Sequence, residues 1–285
     1  MTTPILLERW TRVAPLGLRF WDSATGQFIT DDLSVQAVPK LVSGVFSGQP
    51  AIAFPNRSGV FVFNHLPGLR EAEFGAGDAD YWSSPPAQKD YILTLDDPLG
   101  RFNPFIVTVK APTQKILVFA CANGKPTPAI PTQPTGSIPL FSSPGRAAPA
   151  GAAAVRSLIV RDPADPKPAS WAVMEAYVKN KIIARGIADS NGQVVLYFPY
   201  PKIVLPNPMG HRPPLTQMTW PVDIKVFSDP VAPAGDPPDL CSIFNQAQAS
   251  PLQQLSPNKP LQTQNLAYGQ DLILKTQNKS ELFLG

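Results

Sequence analysis

The chain has 285 residues, of which 44% are apolar and 16% are charged, and its formal net charge at pH 7 is +3. This length can bury one large core or two ordinary ones, whereas the scattered lysines and arginines form no basic patch for nucleic acid. The 35 prolines favour short strands joined by stiff loops over long helices. Composition therefore predicts a loop-rich, all-β protein, and the scarcity of charge predicts a surface that other proteins largely cover.

The N-terminal sequence predicts neither an export signal nor a membrane anchor. Residues 1–11, interpreted as an N-terminal extension, lack a basic segment followed by a long apolar run. A membrane-spanning helix needs about 18 consecutive apolar residues, and the sequence has no such stretch. We therefore expect synthesis in the cytoplasm and no direct insertion into a membrane.

Residues 12–121 are predicted to form a first β-sandwich. Its strands are short, and residues 89–95 alternate in the way that a half-buried strand requires. The strands are expected at residues 16–22, 33–38, 60–67, 89–95, 105–109 and 115–121, with a glycine turn at residues 56–59.

Residues 122–151 are rich in Pro, Thr, Ser, Gly and Ala, which predicts an extended linker with no core of its own. Residues 152–230 then repeat the layout of the first unit: strand, turn, strand, glycine turn and a strand that ends at proline. The repeated strands are expected at residues 154–162, 171–178 and 193–200, with the glycine turn at residues 189–192 and a further strand at residues 218–227. This weak internal repeat predicts two related β-sandwiches in tandem.

Residues 231–285 are predicted to form an extended C-terminal arm. Proline and glutamine dominate its first half, and short apolar segments follow at residues 271–275 and 281–284. A short strand at the end of such an arm is suited to extend a sheet edge, on its own domain or on a neighbouring subunit. The sequence leaves these two alternatives open.

The two cysteines, Cys121 and Cys241, lie far apart in the chain. A disulfide between them is compatible with the sequence, but two free buried thiols in a reducing cytosol are the favoured interpretation. No Cys/His spacing typical of a metal site occurs, so we expect no metal.

Candidate catalytic residues are few. The two histidines, His65 and His211, have no Gly-x-Ser-x-Gly motif beside them, and a structural role is favoured over a catalytic one. The neighbouring carboxylates Asp96 and Asp97 precede Pro98, which favours a turn over an acid/base pair. Glycine-rich phosphate loops are missing. We therefore predict no enzymatic activity and no cofactor.

Three aromatic residues, Trp10, Tyr81 and Trp82, are able to stack on sugars if they are exposed on a β-surface. This gives an alternative function, a carbohydrate- or envelope-binding module. Tryptophans in small sandwiches are more often core or interface anchors, and that interpretation is favoured.

Several segments resemble accessory proteins of bacterial contractile injection systems, the phage-tail-like particles. The segments that carry the resemblance are residues 96–105, 139–151, 184–193 and 198–201. Within these proteins each unit is similar to a carboxypeptidase-regulatory or transthyretin-like sandwich, an Ig-like architecture, and the resemblance extends over residues 12–230. A spike-tip protein is not implied, because the chain lacks a His-bearing, glycine-rich cone repeat.

The resemblance implies a non-enzymatic structural subunit that braces or decorates the baseplate or spike region. Its partners would be other baseplate, spike or sheath-proximal subunits, met in multiple copies of a symmetric assembly, and the particle would be membrane-associated or released. The sandwiches would act as rigid spacers, and the edge strands and the arm would make the contacts. The candidate contact residues are Arg101, Phe102, Phe105, Leu272, Ile273, Leu274, Leu282, Phe283 and Leu284.

Overall fold

The computed structural model describes residues 13–75, 79–84, 86–121, 133–161, 166–201, 214–229, 233, 235–249, 251–252, 263–276 and 279–284. Strands dominate these residues, and the helices among them are short. The protein is therefore an all-β fold of sandwich type, as its composition predicts.

The described residues of the first half form ten short strands and two helices. They are β1 (Leu16–Leu18), β2 (Phe20–Asp22), β3 (Gln27–Ile29), β4 (Ser34–Pro39), β5 (Ala51–Ile52), β6 (Phe54–Pro55), β7 (Phe61–Phe63), α1 (Arg70–Gly75), α2 (Ala79–Ser83), β8 (Lys89–Asp96), β9 (Phe105–Ala111) and β10 (Ile138–Leu140).

Among its described residues, the second half forms nine strands, a 3-10 turn at Leu215–Gln217 and one longer helix. They are β11 (Ala152–Val160), β12 (Val173–Val178), β13 (Lys181–Ile187), β14 (Gln193–Pro199), β15 (Thr219–Phe227), α3 (Leu240–Ala249), β16 (Pro251–Leu252), β17 (Gln264–Ala267), β18 (Leu272–Leu274) and β19 (Leu282–Phe283).

Strands of the first half pair into a four-stranded sheet, β5-β4-β8-β9, and two three-stranded sheets, β1-β7-β6 and β10-β2-β3. Their inward faces carry alternate apolar residues. In β8, for example, Tyr91, Leu93 and Leu95 are buried while Ile92 and Thr94 are half-buried. The alternation that predicts a half-buried strand at residues 89–95 is therefore confirmed.

Strands of the second half form two facing sets. One sheet has the order β13-β12-β15-β16, with β17 also paired to β15, and the other has the order β14-β11-β18, with β19 also paired to β11. Apolar side chains from both sets form a second core, which includes Val155, Met174, Leu196 and Ile224.

The strand order of the two halves is similar. The sheet β5-β4-β8-β9 matches β13-β12-β15-β16, and the antiparallel pair β1-β7 matches the antiparallel pair β11-β14. Both glycine turns are built alike as well. The Oδ1 atom of Asn56 accepts hydrogen bonds from the backbone N–H groups of Ser58 and Val60, and the Oδ1 atom of Asp189 accepts them from the equivalent residues Asn191 and Gln193.

Two expectations for the middle of the chain are wrong. The segment at residues 115–121 forms no strand and instead runs beside β1, where the Leu117 N–H donates to the Gly17 carbonyl at 2.9 Å. The end of the expected linker belongs to the first core, because β10 pairs in parallel with β2 and buries Ile138, Leu140 and Phe141. The apolar run at residues 138–141 is short, so the average composition of residues 122–151 still predicts a linker.

The expected extended arm is a folded part of both units. Helix α3 buries Leu240, Ile243 and Phe244 in the first core. The strands that follow pair within the same chain, with β18 and β19 lying parallel to β11. Docking of the arm on its own domain is therefore observed for the described residues.

The expectation of two free thiols is also wrong, because Cys121 and Cys241 form a disulfide. The two cysteines are 120 residues apart in sequence, so no local sequence pattern indicates that they pair. The return of α3 to the first core brings the two cysteines together, and that packing depends on contacts distant in sequence.

The two units share apolar and charged contacts. The apolar residues Trp171, Val173, Ile187 and Phe227 of the second half belong to the first core. On the same side of the second unit, Arg185 lies with its guanidinium 6.0 Å from the ring centre of Phe244 in α3. The second sandwich is therefore anchored to the first through α3.

Candidate protein-interaction surface

The loop between β4 and β5, residues 40–50, exposes apolar side chains that the fold leaves without a partner. Val42 and Val45 are fully exposed, at 107% and 92%, and Leu41 is exposed at 46%. Single exposed apolar residues are common on protein surfaces, but several in one loop mark a contact surface.

Charge is missing from this part of the chain. Residues 41–55 contain no acidic or basic side chain, and the nearest charged residues are Lys40 and Arg57. The same stretch forms the edge strands β5 and β6, where Ile52 and Phe54 are 49% and 57% exposed. Sheet edges are usually protected from unwanted pairing by charged side chains, by proline or by very short strands, and here β5 and β6 are two residues long and Pro55 lies in β6. The exposed apolar side chains, and not the strand edges, are therefore the feature that makes this stretch a candidate surface.

The second repeat shows that the fold does not need this loop. Its equivalent hairpin, between β12 and β13, closes with only Lys179 and Asn180, both of which have positive φ angles. Such a two-residue turn suits the twist of the paired strands. The 11 residues of the β4–β5 loop are therefore additional to what the hairpin requires.

The loop is anchored at its base and packs on itself. The Lys40 N–H donates to the Asp90 carbonyl at 2.8 Å, next to the end of β4. Further along, a Cβ atom added to Gly48 would lie 2.4 Å from the ring of Phe46, so that ring covers the glycine backbone. Phe46 is thus half-buried within the loop while the two valines face solvent.

The contact residues predicted from sequence are mostly buried in this chain's own cores. Phe102 and Phe105 are 3% and 2% exposed, and the arm residues share this burial. These buried arm residues are Leu274, Leu282, Phe283 and Leu284. Their apolar character serves pairing and packing within the chain, and they are not available to another subunit without unfolding.

Three of the predicted contact residues keep exposed surface. Ile273 is 63% exposed on the edge strand β18, and its neighbour Leu272 is half-buried. The Arg101 side chain, 25% exposed, lies 3.0 Å from Asp97 and 3.8 Å from Asp31. Hydrogen bonds with Asp97 raise the pKa of Arg101, so its charge is engaged within the chain.

The Asp96-Asp97 pair has the structural role predicted for it. The Asp97 carboxylate accepts a hydrogen bond from the Arg101 N–H at 2.6 Å, and the Asp97 carbonyl accepts one from the Gly100 N–H at 2.8 Å. These bonds close a turn. The buried Asp97 carboxylate is therefore engaged in hydrogen bonds within the chain.

The other residues considered from sequence are spread over the structure. His65 is exposed after β7, whereas His211 and Trp10 lie outside the described residues. Tyr81 and Trp82 are both half-buried and lie edge to face, 5.0 Å apart. Within the described ranges, no three His, Cys, Asp or Glu side chains are grouped to hold a metal ion, and no helix is long and apolar enough to span a bilayer.

Comparison of the chain with family models, curated proteins and solved structures finds no match. Sequence analysis missed the β4–β5 loop, although a signal was present: 16 residues without a charge, including Gly44 and Gly48, between Lys40 and Arg57. The missing information was that Leu41, Val42 and Val45 face solvent.

Proposed function

We propose that this chain is a non-enzymatic structural subunit of a contractile injection system, a phage-tail-like particle, in which it braces or decorates the baseplate or spike region. The exposed, uncharged β4–β5 loop is the observation that carries the proposal. The resemblance of residues 12–230 to accessory proteins of such particles supplies the type of assembly.

The β4–β5 loop supplies the contact in this proposal. Its partner is an apolar groove on another subunit, because a loop without charge gains nothing from a charged surface and loses exposed apolar area in a groove. Full burial of a valine or leucine side chain contributes roughly 1.5–3 kcal/mol. Leu41, Val42 and Val45 together supply a small anchor, and repeated copies of the subunit in the particle multiply its effect.

The two sandwiches act as a rigid support for this contact. Helix α3 and the disulfide between Cys121 and Cys241 join the C-terminal part to the first unit, so the loop projects from a body that does not bend easily between its halves. Rigid support limits the entropy lost on binding.

The test replaces residues 41–47 with Asn-Gly, a two-residue turn of the kind found in the second repeat. This change keeps Gln36 opposite Ile52 and Ala37 opposite Ala51, so the sheet should be retained. The tagged variant and the tagged wild-type chain are purified from the native cell and compared by mass spectrometry and negative-stain imaging, with thermal unfolding as the test of folding.

We expect the wild-type chain to recover tube, sheath and baseplate proteins, and the shortened variant to lose them while remaining folded. A point variant, Val42→Asp with Val45→Asp, should give the same loss. Val118→Asp is the matched control, because Val118 is also exposed, at 64%, but lies outside the loop. A wild-type chain recovered as a free monomer, or a shortened variant that still assembles, would refute the proposal.

A further inference from the structure

A cleft of about 710 Å³ lies beside β1 in the first unit. Binding sites for small molecules usually enclose between about 300 and 1,000 Å³. Strands β1 and β7 supply Gly17 and Val62 to its lining, and helix α2 supplies Trp82.

One wall of the cleft is a bulge in the chain beside β1. The Thr113 N–H donates to the Pro15 carbonyl and the Leu117 N–H donates to the Gly17 carbonyl, both at 2.9 Å. Three residues separate the two donors, whereas one residue separates the two acceptors. Residues 114–116 must therefore arch away from the strand, and all three line the cleft.

The charged side chains that line the cleft are basic. Arg19 and Lys115 line it, and no acidic residue does so among the described residues. Neither side chain forms an ion pair with a described carboxylate. The Arg19 guanidinium instead lies 5.4 Å from the ring centre of Phe28, which holds it in place without neutralising it. A guanidinium that is positioned and not neutralised is suited to bind a carboxylate through two hydrogen bonds.

The remaining lining residues suit a sugar. The Trp82 indole gives a flat apolar surface on which a sugar ring can lie, and Ser58 and Gln114 carry hydroxyl and amide groups that can bond to sugar hydroxyls. A ligand that matches all these groups carries hydroxyls, an apolar ring face and a negative charge.

We propose that this cleft binds an acidic saccharide, with its carboxylate on Arg19 and Lys115 and its ring on Trp82. The site is independent of the contact proposed for the β4–β5 loop, since it uses different residues. The saccharide would come from a free oligosaccharide or from a cell-envelope polymer, which share the same uronic acid chemistry.

The test measures binding of digalacturonic acid to the full-length chain by isothermal titration calorimetry, with cellobiose as the neutral comparison. We expect binding of the acidic disaccharide only, weakened by added NaCl because the contact is partly ionic. The double variant Arg19→Gln/Lys115→Gln should weaken it by roughly tenfold or more. Trp82→Ala should weaken it while leaving the charge of the cleft unchanged.

The matched control is Lys181→Gln/Lys275→Gln, which removes the same charge from exposed positions of the second unit. This control should bind like the wild type. An equal loss in the control, or no measurable binding of either digalacturonic acid or polygalacturonate by the wild-type chain, would overturn the proposal. Equal binding of cellobiose, or full competition by inorganic phosphate at the same concentration, would overturn the assignment to an acidic saccharide. A longer polygalacturonate that binds when the disaccharide does not would instead support a polymer as the source.

Discussion

Asp22 and Arg146 form a nearly buried ion pair, in which the Nη2 atom of Arg146 lies 2.6 Å from the Oδ2 atom of Asp22. The two side chains keep only 1% and 11% of their exposure. Burial alone would raise the pKa of Asp22, but hydrogen bonds from Arg146 and Thr25 and the charge of Arg146 outweigh it and lower this pKa below its usual value. The pair ties the end of β2 to the segment that leads into β11.

We expect the free energy of unfolding to decrease as the pH falls below about 4. The pKa of Asp22 is lower in the folded chain than its value near 3.9 in the unfolded chain, so the unfolded chain takes up the proton first. The stabilisation from Asp22 is therefore present above this value and is lost as the pH falls through the folded pKa. Urea unfolding between pH 7 and pH 3 measures the change.

The variant Asp22→Asn should be less stable at pH 7 and should show a flatter dependence on pH than the wild type. Asp80→Asn, at an exposed position in α2, serves as the control and should follow the wild-type curve. Parallel curves for Asp22→Asn and the wild type would show that the pair contributes nothing to the acid response.

Asn56 and Asp189 show which part of the fold could be predicted from the sequence. Each is followed by a glycine three positions later, and the turn it forms depends only on neighbouring residues. Alternation within β8 is local in the same way. Both predictions are confirmed because the patterns that carry them lie within a few residues.

The predictions that failed depend on contacts between distant segments. Nothing near Cys121 indicates that α3 will bring Cys241 to it, and nothing near Leu282 indicates that β19 will pair with β11. An apolar residue has the same side chain whether it is covered by its own chain or by another. For this reason Leu282 and Phe283 were predicted as contacts with a partner, although the chain's own core buries them, and Val42 was overlooked.

Removing the disulfide should lower the stability of the whole chain. It joins residues 120 positions apart, and a cross-link that closes so long a loop contributes about 2–5 kcal/mol, mainly by restricting the unfolded chain. We expect Cys121→Ser/Cys241→Ser to lose that amount in urea unfolding under oxidising conditions. A reducing agent should destabilise the wild type by a similar amount and leave the double variant unchanged. Two reactive thiols in the folded, unreduced wild type would contradict this.

Alanine at the two equivalent glycine turns should have unequal effects. Gly59 and Gly192 both have positive φ angles, so alanine carries a backbone cost of about 1–2 kcal/mol at either position. The new Cβ would lie 2.5 Å from the side chain of Thr30 at position 59, but 2.4 Å from the backbone oxygen of Ile159 at position 192. Because an exposed side chain can rotate and a strand backbone cannot, Gly192→Ala should be the more destabilising change.

Gly26→Ala gives the backbone cost alone, since Gly26 also has a positive φ angle and a Cβ there would meet nothing within 4 Å. Thermal unfolding of the three variants should rank Gly26→Ala as the mildest and Gly192→Ala as the most severe. Equal losses at positions 59 and 192 would mean that β11 can shift to accept the added methyl group.

The buried pair Glu175 and Arg185 should be costly to break and much cheaper to replace. Both side chains are 5% exposed, the Arg185 Nη2 atom lies 2.5 Å from the Glu175 Oε1 atom, and the Tyr177 hydroxyl donates to the same carboxylate. Burial and this hydrogen bond raise the pKa of Tyr177. Removing one partner of such a pair leaves a buried charge without compensation and costs about 3–5 kcal/mol, whereas exchanging both for apolar residues of similar volume is often neutral.

We therefore expect Arg185→Met to lower the free energy of unfolding by several kcal/mol, and Glu175→Leu/Arg185→Met to recover most of that loss. Glu175→Leu alone should also lower the free energy of unfolding, because it removes the carboxylate that lies against the buried Arg185 guanidinium. Urea unfolding of the wild type, the two single variants and the double variant gives the coupling energy between the two positions. Losses that simply add would show that the two charges are stabilised separately, by water or by other groups.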